Sequence, residues 1–118
     1  MASHIVGPVA EFPENTHRVV KIRTIEIGVF NVNGAFYALP NVCPHSFGPL
    51  CEGTVNGTMA CNAATGWKHV WVRDGEILTC PWHGWEFDIP TGRALARPTV
   101  RIRTYPVTVE DGQVVVTL

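Results

Sequence analysis

Short stretches of β-branched or alternating apolar residues, separated by glycine-containing turns, recur along the chain. Residues 18–22 form one such stretch, and residues 25–32 meet residues 35–39 across the dipeptide Asn33-Gly34. An Asn-Gly pair suits the positive φ angles of a tight hairpin turn, so this region predicts two antiparallel strands. No segment shows a helical period over more than a few residues.

The same pattern predicts two further hairpins. Residues 67–72 meet residues 76–80 across Asp74-Gly75, and residues 101–110 meet residues 113–118 across Asp111-Gly112. The segment 51–66 shows no regular period and is expected to be a loop. Sequential hairpins without helices imply an all-β chain, folded as an antiparallel sandwich or small barrel. We expect one domain over residues 1–118, because this length supports a single modest core.

Composition narrows the classes of function. Charged residues make up only 16% of the chain, the net charge is −1 and no run of basic residues occurs. Binding to nucleic acid or to anionic membranes therefore has no support. Residues 1–17 lack both a basic start and a long apolar stretch, so we expect no membrane anchor and a cytoplasmic location. In that reducing compartment, four cysteines indicate metal ligands or buried thiols rather than disulfides.

Two cysteine–histidine pairs are candidate metal ligands. One residue separates Cys43 from His45, and two residues separate Cys80 from His83. Thiolates and imidazoles suit zinc and iron. The four side chains could enclose a single structural zinc, or the cysteines could hold one iron of a two-iron cluster and the histidines the other. Zinc sites usually pair Cys with Cys and His with His, so the mixed pairs favour the cluster.

These motifs and their surroundings resemble the Rieske iron–sulfur family, whose motif is C-x-H followed by C-x-x-H. The match comprises "CPH" at 43–45 and "CPWHG" at 80–84, and it extends through "GPL" at 48–50, "GWEFDIPTGRA" at 84–94 and "YPVTVEDGQVVV" at 105–116. The resemblance implies a Rieske-type β fold with a cluster-binding subdomain of two ligand loops, about residues 41–90. It also implies one [2Fe-2S] cluster, held by Cys43, His45, Cys80 and His83.

A Rieske-type ferredoxin is a one-electron carrier rather than an enzyme. The resemblance implies that such a chain passes electrons from a flavin-containing reductase to a terminal oxygenase, with the iron on the two histidines cycling between the ferric and ferrous states. The small subunit of a nitrite-reductase complex is an alternative within the same family. A zinc-stabilised β domain that binds other proteins is the alternative from a different class.

The spacing of the two motifs departs from the family pattern. Thirty-four residues, 46 to 79, separate His45 from Cys80, whereas family members often have about half that number. We assign the excess to an insertion at about residues 54–72 and expect it to build the hairpin of residues 67–80. Cys51 and Cys61 also lie between the motifs. We expect two free thiols, with an extra disulfide or a second metal contact as the alternative.

The loops also lack two features of the respiratory and photosynthetic relatives. Those proteins carry an additional cysteine in each loop, joined as a disulfide, and a serine after the second His-Gly that donates a hydrogen bond to the cluster. Here Ser46 follows His45 and Trp85 follows Gly84. Fewer donors stabilise the reduced cluster less, so we expect a reduction potential in the lower part of the range of about −150 to +300 mV. Pro44, Phe47 and Trp82 are candidate apolar residues at the loop tips.

Overall fold

The computed structural model describes residues 2–44, 47–82, 84–97 and 99–118. Among these residues, nine strands alternate with loops and short 3-10 turns. The strands are β1 (Ser3–Pro8), β2 (His17–Ile22), β3 (Ile25–Val32), β4 (Ala35–Pro40), β5 (Thr54–Ala60), β6 (Val70–Thr79), β7 (Glu86–Asp88), β8 (Val107–Glu110) and β9 (Gln113–Thr117). Every ladder between them is antiparallel, so the predicted all-β antiparallel fold is confirmed. No helix in the described ranges is long and apolar enough to cross a membrane.

The strands form three sheets of three strands each within the described residues, in the orders β1-β9-β8, β2-β3-β4 and β5-β6-β7. Strand β3 contributes to two cores. Ile27 and Val29 pack into the first core, whereas Phe30 and Val32 pack into the second, because successive residues of a strand point to opposite faces. The second core also contains both candidate cysteine ligands. The middle sheet therefore supports the candidate site.

Two of the predicted hairpins are present. Asn33 and Gly34 adopt φ angles of 52° and 93° between β3 and β4, and the turn at Asp111-Gly112 joins β8 to β9. Strand β8 is shorter than predicted, because it begins at Val107 rather than at residue 101. Pro106 has no N–H to donate to a ladder, and the residues before it form only isolated bridges.

The predicted hairpin across Asp74-Gly75 is wrong. Strand β6 includes this dipeptide and pairs with β5 on both sides of it. The register of the pairing shifts from Asn56↔Ile77 to Thr58↔Val72. Residues 73–76 therefore bulge out of the strand. An Asp-Gly pair supplies the positive φ that a bulge needs as well as the one a hairpin needs, so the local signal was ambiguous.

A tertiary ion pair anchors this bulge. Arg73 has a φ of 57°, and its guanidinium contacts the Asp88 carboxylate on β7 and lies 3.2 Å from Glu76. The Arg73–Asp88 contact raises the pKa of Arg73, and burial partly opposes it. The contact crosses from one strand to the next, so the sequence around residue 74 could not reveal it.

The expectation of an irregular loop over residues 51–66 is also wrong. Residues 54–60 of the segment form strand β5, and residues 54–72 comprise β5, a 3-10 turn at Ala63–Thr65 and the start of β6. Gly57 interrupts the apolar alternation. A Cβ at Gly57 would lie 2.4 Å from the Val72 carbonyl oxygen, so the residue that hides the strand pattern is also the one that permits its close pairing.

Candidate metal centre

The first candidate loop leaves the end of β4 and is closed by two backbone hydrogen bonds. The Cys43 N–H donates to the Gly48 carbonyl at 2.8 Å, and the Cys43 carbonyl accepts from the Phe47 N–H at 2.7 Å. Phe47 adopts a φ of 58°. These two bonds fix Cys43, Phe47 and Gly48 relative to one another at the base of the first loop.

The second candidate loop joins β6 to β7 in a similar way. The Cys80 N–H donates to the Trp85 carbonyl at 2.8 Å, and Gly84 takes a φ of 72°. Pro81, Trp82 and Gly84 therefore lie in the connection that follows the end of β6. Burial raises the pKa of the Cys80 thiol, and a backbone hydrogen bond from the Trp82 N–H to the Cys80 sulfur partly opposes that rise. Amide donors of this kind stabilise the negative charge of a bound thiolate.

The two cysteines of the predicted ligand set meet in the second core. Cys43 and Cys80 are free, almost fully buried thiols whose side chains hydrogen-bond to each other. Burial raises the pKa of Cys80, and the neighbouring Cys43 raises it further. A metal ion that bound to this pair would therefore have to displace protons from the thiols. His45 and His83 lie outside the described residues, and their place in the ligand set stays a prediction.

Glycines hold the two loops close together. A Cβ on Gly48 would lie 2.6 Å from the Trp82 indole. The indole of the second loop therefore packs directly on the backbone of the first. A Cβ on Gly53 would lie 1.9 Å from the Thr79 carbonyl oxygen and 3.0 Å from the Pro81 ring. Both contacts depend on the absence of a side chain, and sequence reasoning missed both because they join residues distant along the chain.

Asn41 braces the first loop from behind. Its side-chain oxygen accepts the Cys51 N–H at 2.7 Å, and its amide nitrogen donates to the carboxylates of Glu26 and Glu52 at 3.1 Å each. Asn41 is buried, and every polar atom of its side chain has a partner. The residue fixes the chain two positions before Cys43. Nothing in the sequence around it signals this role.

The other two cysteines are free thiols in contrasting environments, as expected. Cys51 is fully buried, and its thiol donates to the carbonyls of Leu39 and Pro40 at 3.5 and 3.4 Å. Burial raises the pKa of Cys51 to about 12. Cys61 is exposed and follows β5. Neither an extra disulfide nor a contact between these two thiols is present.

This contrast predicts selective alkylation. At pH 8, iodoacetamide should modify Cys61 readily and leave Cys51 unmodified in the folded protein, because only the thiolate reacts. The raised pKa also implies that Cys51 stabilises the fold below pH 9 and that this contribution is lost as the pH rises towards 12. Peptide mass spectrometry after a timed reaction checks the order. Equal modification of Cys51 and Cys61 before unfolding would contradict it.

Apolar side chains are exposed at the tips of the loops. Phe47 is 78% exposed and Trp82 is 50% exposed, and Val42 beside the first loop is 47% exposed. Trp85 is less exposed than Trp82. It is half-buried and stacks on Phe87 with ring centroids 6.4 Å apart. Trp82 therefore packs one side against Gly48 and leaves about half of its surface in solvent, whereas Trp85 contributes mainly to packing below the loop.

A family model described as a Rieske-like [2Fe-2S] domain matches residues 4–117. The chain belongs to this family. The ferredoxin component of the naphthalene 1,2-dioxygenase system of Pseudomonas aeruginosa is 31% identical over 109 residues, which are 92% of this chain and 88% of that protein. The ferredoxin subunit of 3-phenylpropionate/cinnamic acid dioxygenase of Escherichia coli (strain K12) is 32% identical over 112 residues, covering 94% and 89% of the two chains.

Solved structures agree. The ferredoxin of Sphingomonas yanoikuyae B1 is similar with a TM-score of 0.72 and 31% identity over 99% of both chains. A chain of the complex of reduced oxygenase and oxidized ferredoxin in carbazole 1,9a-dioxygenase is similar with a TM-score of 0.74 and 26% identity, covering 98% of this chain and 92% of that one. The predictions of a Rieske-type ferredoxin fold, one [2Fe-2S] cluster and an electron-carrier role are confirmed, and the zinc alternative is set aside.

The described residues fit the cluster that the family carries. Two buried thiols lie in contact without forming a disulfide, and a backbone N–H already points at one of the sulfurs. The loops that carry them are closed at the base and packed against each other. Such a donor set holds iron with little rearrangement, as a centre that only exchanges electrons requires.

The absence of the additional donors carries a testable consequence for the potential. No second cysteine pair braces the loops, because Cys51 and Cys61 are free, and the half-buried Trp85 occupies the position after Gly84. We expect a midpoint potential below about +100 mV, within the lower part of the Rieske range. A spectroelectrochemical titration at pH 7 measures it. A midpoint well above that value would show that hydroxyl and disulfide partners are not what sets the potential here.

Proposed function

We propose that the chain is the ferredoxin component of a multicomponent oxygenase. It would accept one electron from a flavin-containing reductase and deliver it to a terminal oxygenase. The observation that carries this proposal is the near full-length similarity to ferredoxin components of dioxygenase systems. The similarity to a ferredoxin seen in complex with an oxygenase supports the same assignment.

We assign the cluster ligands to Cys43 and Cys80 on one iron and to His45 and His83 on the other. The contact between the two cysteine side chains supports the first half of this assignment. The spacing of each histidine from its cysteine, with one residue between them in the first motif and two in the second, supports the second half. When bound, the cluster supplies reversible one-electron chemistry.

The protein residues around the site have three tasks. The second core excludes water from the two cysteines, and the brace at Asn41 keeps the first loop rigid. Phe47 and Trp82 present an apolar surface around the tips, which suits a brief contact with a redox partner. A small contact with a rigid site permits rapid binding and release, as a shuttling carrier requires.

We also assign residues 1–118 to one domain, with the cluster-binding part at about residues 41–90 and the insertion at about 54–72. The position of both cysteines between the second and third sheets supports that division. Four free cysteines support a cytoplasmic location, because thiols persist in a reducing compartment.

Reduction and re-oxidation of the cluster test the proposed role. Anaerobic protein mixed with a flavin-containing reductase and NADH should lose visible absorbance, and the oxygenase of carbazole 1,9a-dioxygenase should restore it. A Cys80→Ala variant is the matched control and should show neither change. Failure of every reductase to bleach the cluster, or re-oxidation by a nitrite-reductase large subunit but by no oxygenase, would reject the assignment.

A further inference from the structure

Positive charge is concentrated in one segment of the chain. Residues 93–103 contain four of the nine basic residues and none of the ten acidic ones. The remainder of the chain holds five basic residues against ten acidic ones, although the net charge of the whole is only −1. The four positive residues are separated by neutral ones, so they do not form a run in the sequence. We call them the arginine strip: Arg93, Arg97, Arg101 and Arg103.

All four side chains of the arginine strip are exposed. None of them lies within ion-pair distance of a carboxylate among the described residues, where the ion pairs involve Arg18 and Arg73. Arg97 lies 6.0 Å from the centre of the Trp85 ring, and the Arg103 guanidinium lies 4.9 Å from the Tyr105 ring. These cation–π contacts orient the guanidinium groups without neutralising them.

Two members of the strip are placed at a cost to the fold. Arg93 and Arg101 form an isolated antiparallel bridge and therefore stand directly opposite each other. Like charges in opposed positions of a sheet destabilise it. An anionic surface placed over the pair would remove that repulsion. The cost therefore indicates a binding function.

The arginine strip adjoins the second cluster loop. The Leu95 N–H donates to the Glu86 carbonyl at 3.0 Å, and Ala94 bridges Phe87, so the segment runs beside β7. Arg97 covers Trp85, whose carbonyl accepts the Cys80 N–H. The Arg97 end of the strip thus lies beside Trp85, at the base of the second cluster loop.

The two carboxylates of β7 are occupied elsewhere. The Thr58 hydroxyl donates to Glu86 at 3.0 Å, and Asp88 accepts from Arg73 and Thr91. They are not paired with the arginine strip. An approaching partner therefore meets unpaired positive charge beside the cluster loop.

We propose that the arginine strip binds an acidic face of the terminal oxygenase next to the point where the electron enters, and so aligns the cluster for transfer. This inference rests on the proposed function. Complementary charge speeds encounter and sets orientation while adding little to the lifetime of the complex. A carrier that must dissociate after each electron benefits from this division, with Phe47 and Trp82 supplying the small apolar contact.

Small redox probes test the local charge without any protein partner. Dithionite-reduced holoprotein is mixed with ferricyanide, an anion, or with tris(phenanthroline)cobalt(III), a cation, each of which takes one electron. At about 0.01 M ionic strength the Debye length is about 30 Å, and at 0.15 M it is about 8 Å. The ratio of the anion rate to the cation rate should fall as salt rises, whereas the net charge of −1 alone predicts the opposite trend.

The variant Arg93→Gln/Arg97→Gln/Arg101→Gln should lower this ratio about tenfold at low salt and change it little at high salt. A mere change in cluster potential would move both rates in the same direction and leave the ratio unchanged. Arg97→Gln and Lys68→Gln form a matched pair with equal change in charge, and only the former should lower the ratio. Melting temperatures should not fall in the triple variant, because an unfavourable pair is removed. An unchanged ratio in the triple variant would overturn the proposal.

The protein partner supplies the second readout. Binding of the triple variant to the carbazole 1,9a-dioxygenase oxygenase, measured by stopped-flow association, should be about tenfold slower than wild type at low salt. Equal association rates would overturn the proposal, and so would a loss confined to reduction by the reductase. If the wild type gives the expected probe ratio but transfers no electron to any oxygenase, the proposed function fails, and the inference that depends on it fails with it.

Discussion

Replacement of Cys80 by alanine should yield a colourless protein that retains neither iron nor sulfide. The Cys80 thiol lies buried against Cys43, and no other thiol can take its place. Cys51 points to the carbonyls of Leu39 and Pro40 instead. A ligand present at about a thousand times its dissociation constant adds about 4 kcal/mol to the free energy of unfolding, so the variant should also lose stability on that scale.

Cys61→Ser is the matched control for this prediction, because Cys61 is an exposed free thiol. That variant should keep the full visible spectrum and the wild-type melting temperature. Iron analysis, visible absorption and thermal unfolding of both variants measure the outcome. Intact cluster in Cys80→Ala, or loss of the cluster in Cys61→Ser, would show that the ligand assignment is wrong.

Gly53→Ala should be the most damaging of the small substitutions near the site. The added Cβ would lie 1.9 Å from the Thr79 carbonyl oxygen and 3.0 Å from the Pro81 ring, and neither the backbone nor the ring can swing aside. Thr79 immediately precedes Cys80, so relief of the clash must displace a proposed ligand. We expect a loss of about 3 kcal/mol in the free energy of unfolding, as overpacking in a tight site costs, together with reduced iron content.

Gly112→Ala separates this clash from the general cost of replacing a glycine. Gly112 has a φ of 74°, and a Cβ there would meet nothing within 4 Å. This variant should lose only about 1–2 kcal/mol, the cost of a left-handed conformation, and should keep its cluster. Chemical unfolding and iron content of the two variants check the comparison. Equal stability of the two would contradict the close approach at Gly53.

Local turn chemistry explains which hairpins were predictable. Asn33-Gly34 and Asp111-Gly112 carry positive φ angles between adjacent strands, as their sequence predicts. Asp74-Gly75 carries the same signal, but Arg73 reaches Asp88 on another strand and holds the segment as a bulge. A dipeptide defines the angles available to the backbone, whereas contacts between distant residues decide how those angles are used.

In the candidate site, likewise, the sequence predicts the local features and not those that depend on contacts between distant residues. The spacing within each Cys–His pair identifies the candidate ligands because convergence on a metal demands short separations. The brace at Asn41 and the close approaches at Gly48 and Gly53 involve partners from other parts of the chain, so no local pattern marks them. The arginine strip can be counted in the sequence. Only the bridge between Ala94 and Phe87 places it beside the cluster loop.

The central claim is that two cysteines and two histidines hold the cluster. The chain has four free cysteines, so ligation by four thiolates is the alternative that a direct measurement must distinguish. Pulsed electron paramagnetic resonance on dithionite-reduced protein, labelled with nitrogen-15 only at histidine, reports the ligand nitrogens. We expect coupling of the unpaired electron to two histidine nitrogens, one each from His45 and His83. A reduced centre without histidine coupling, as a cluster held by four thiolates would give, or no paramagnetic centre at all, would contradict it.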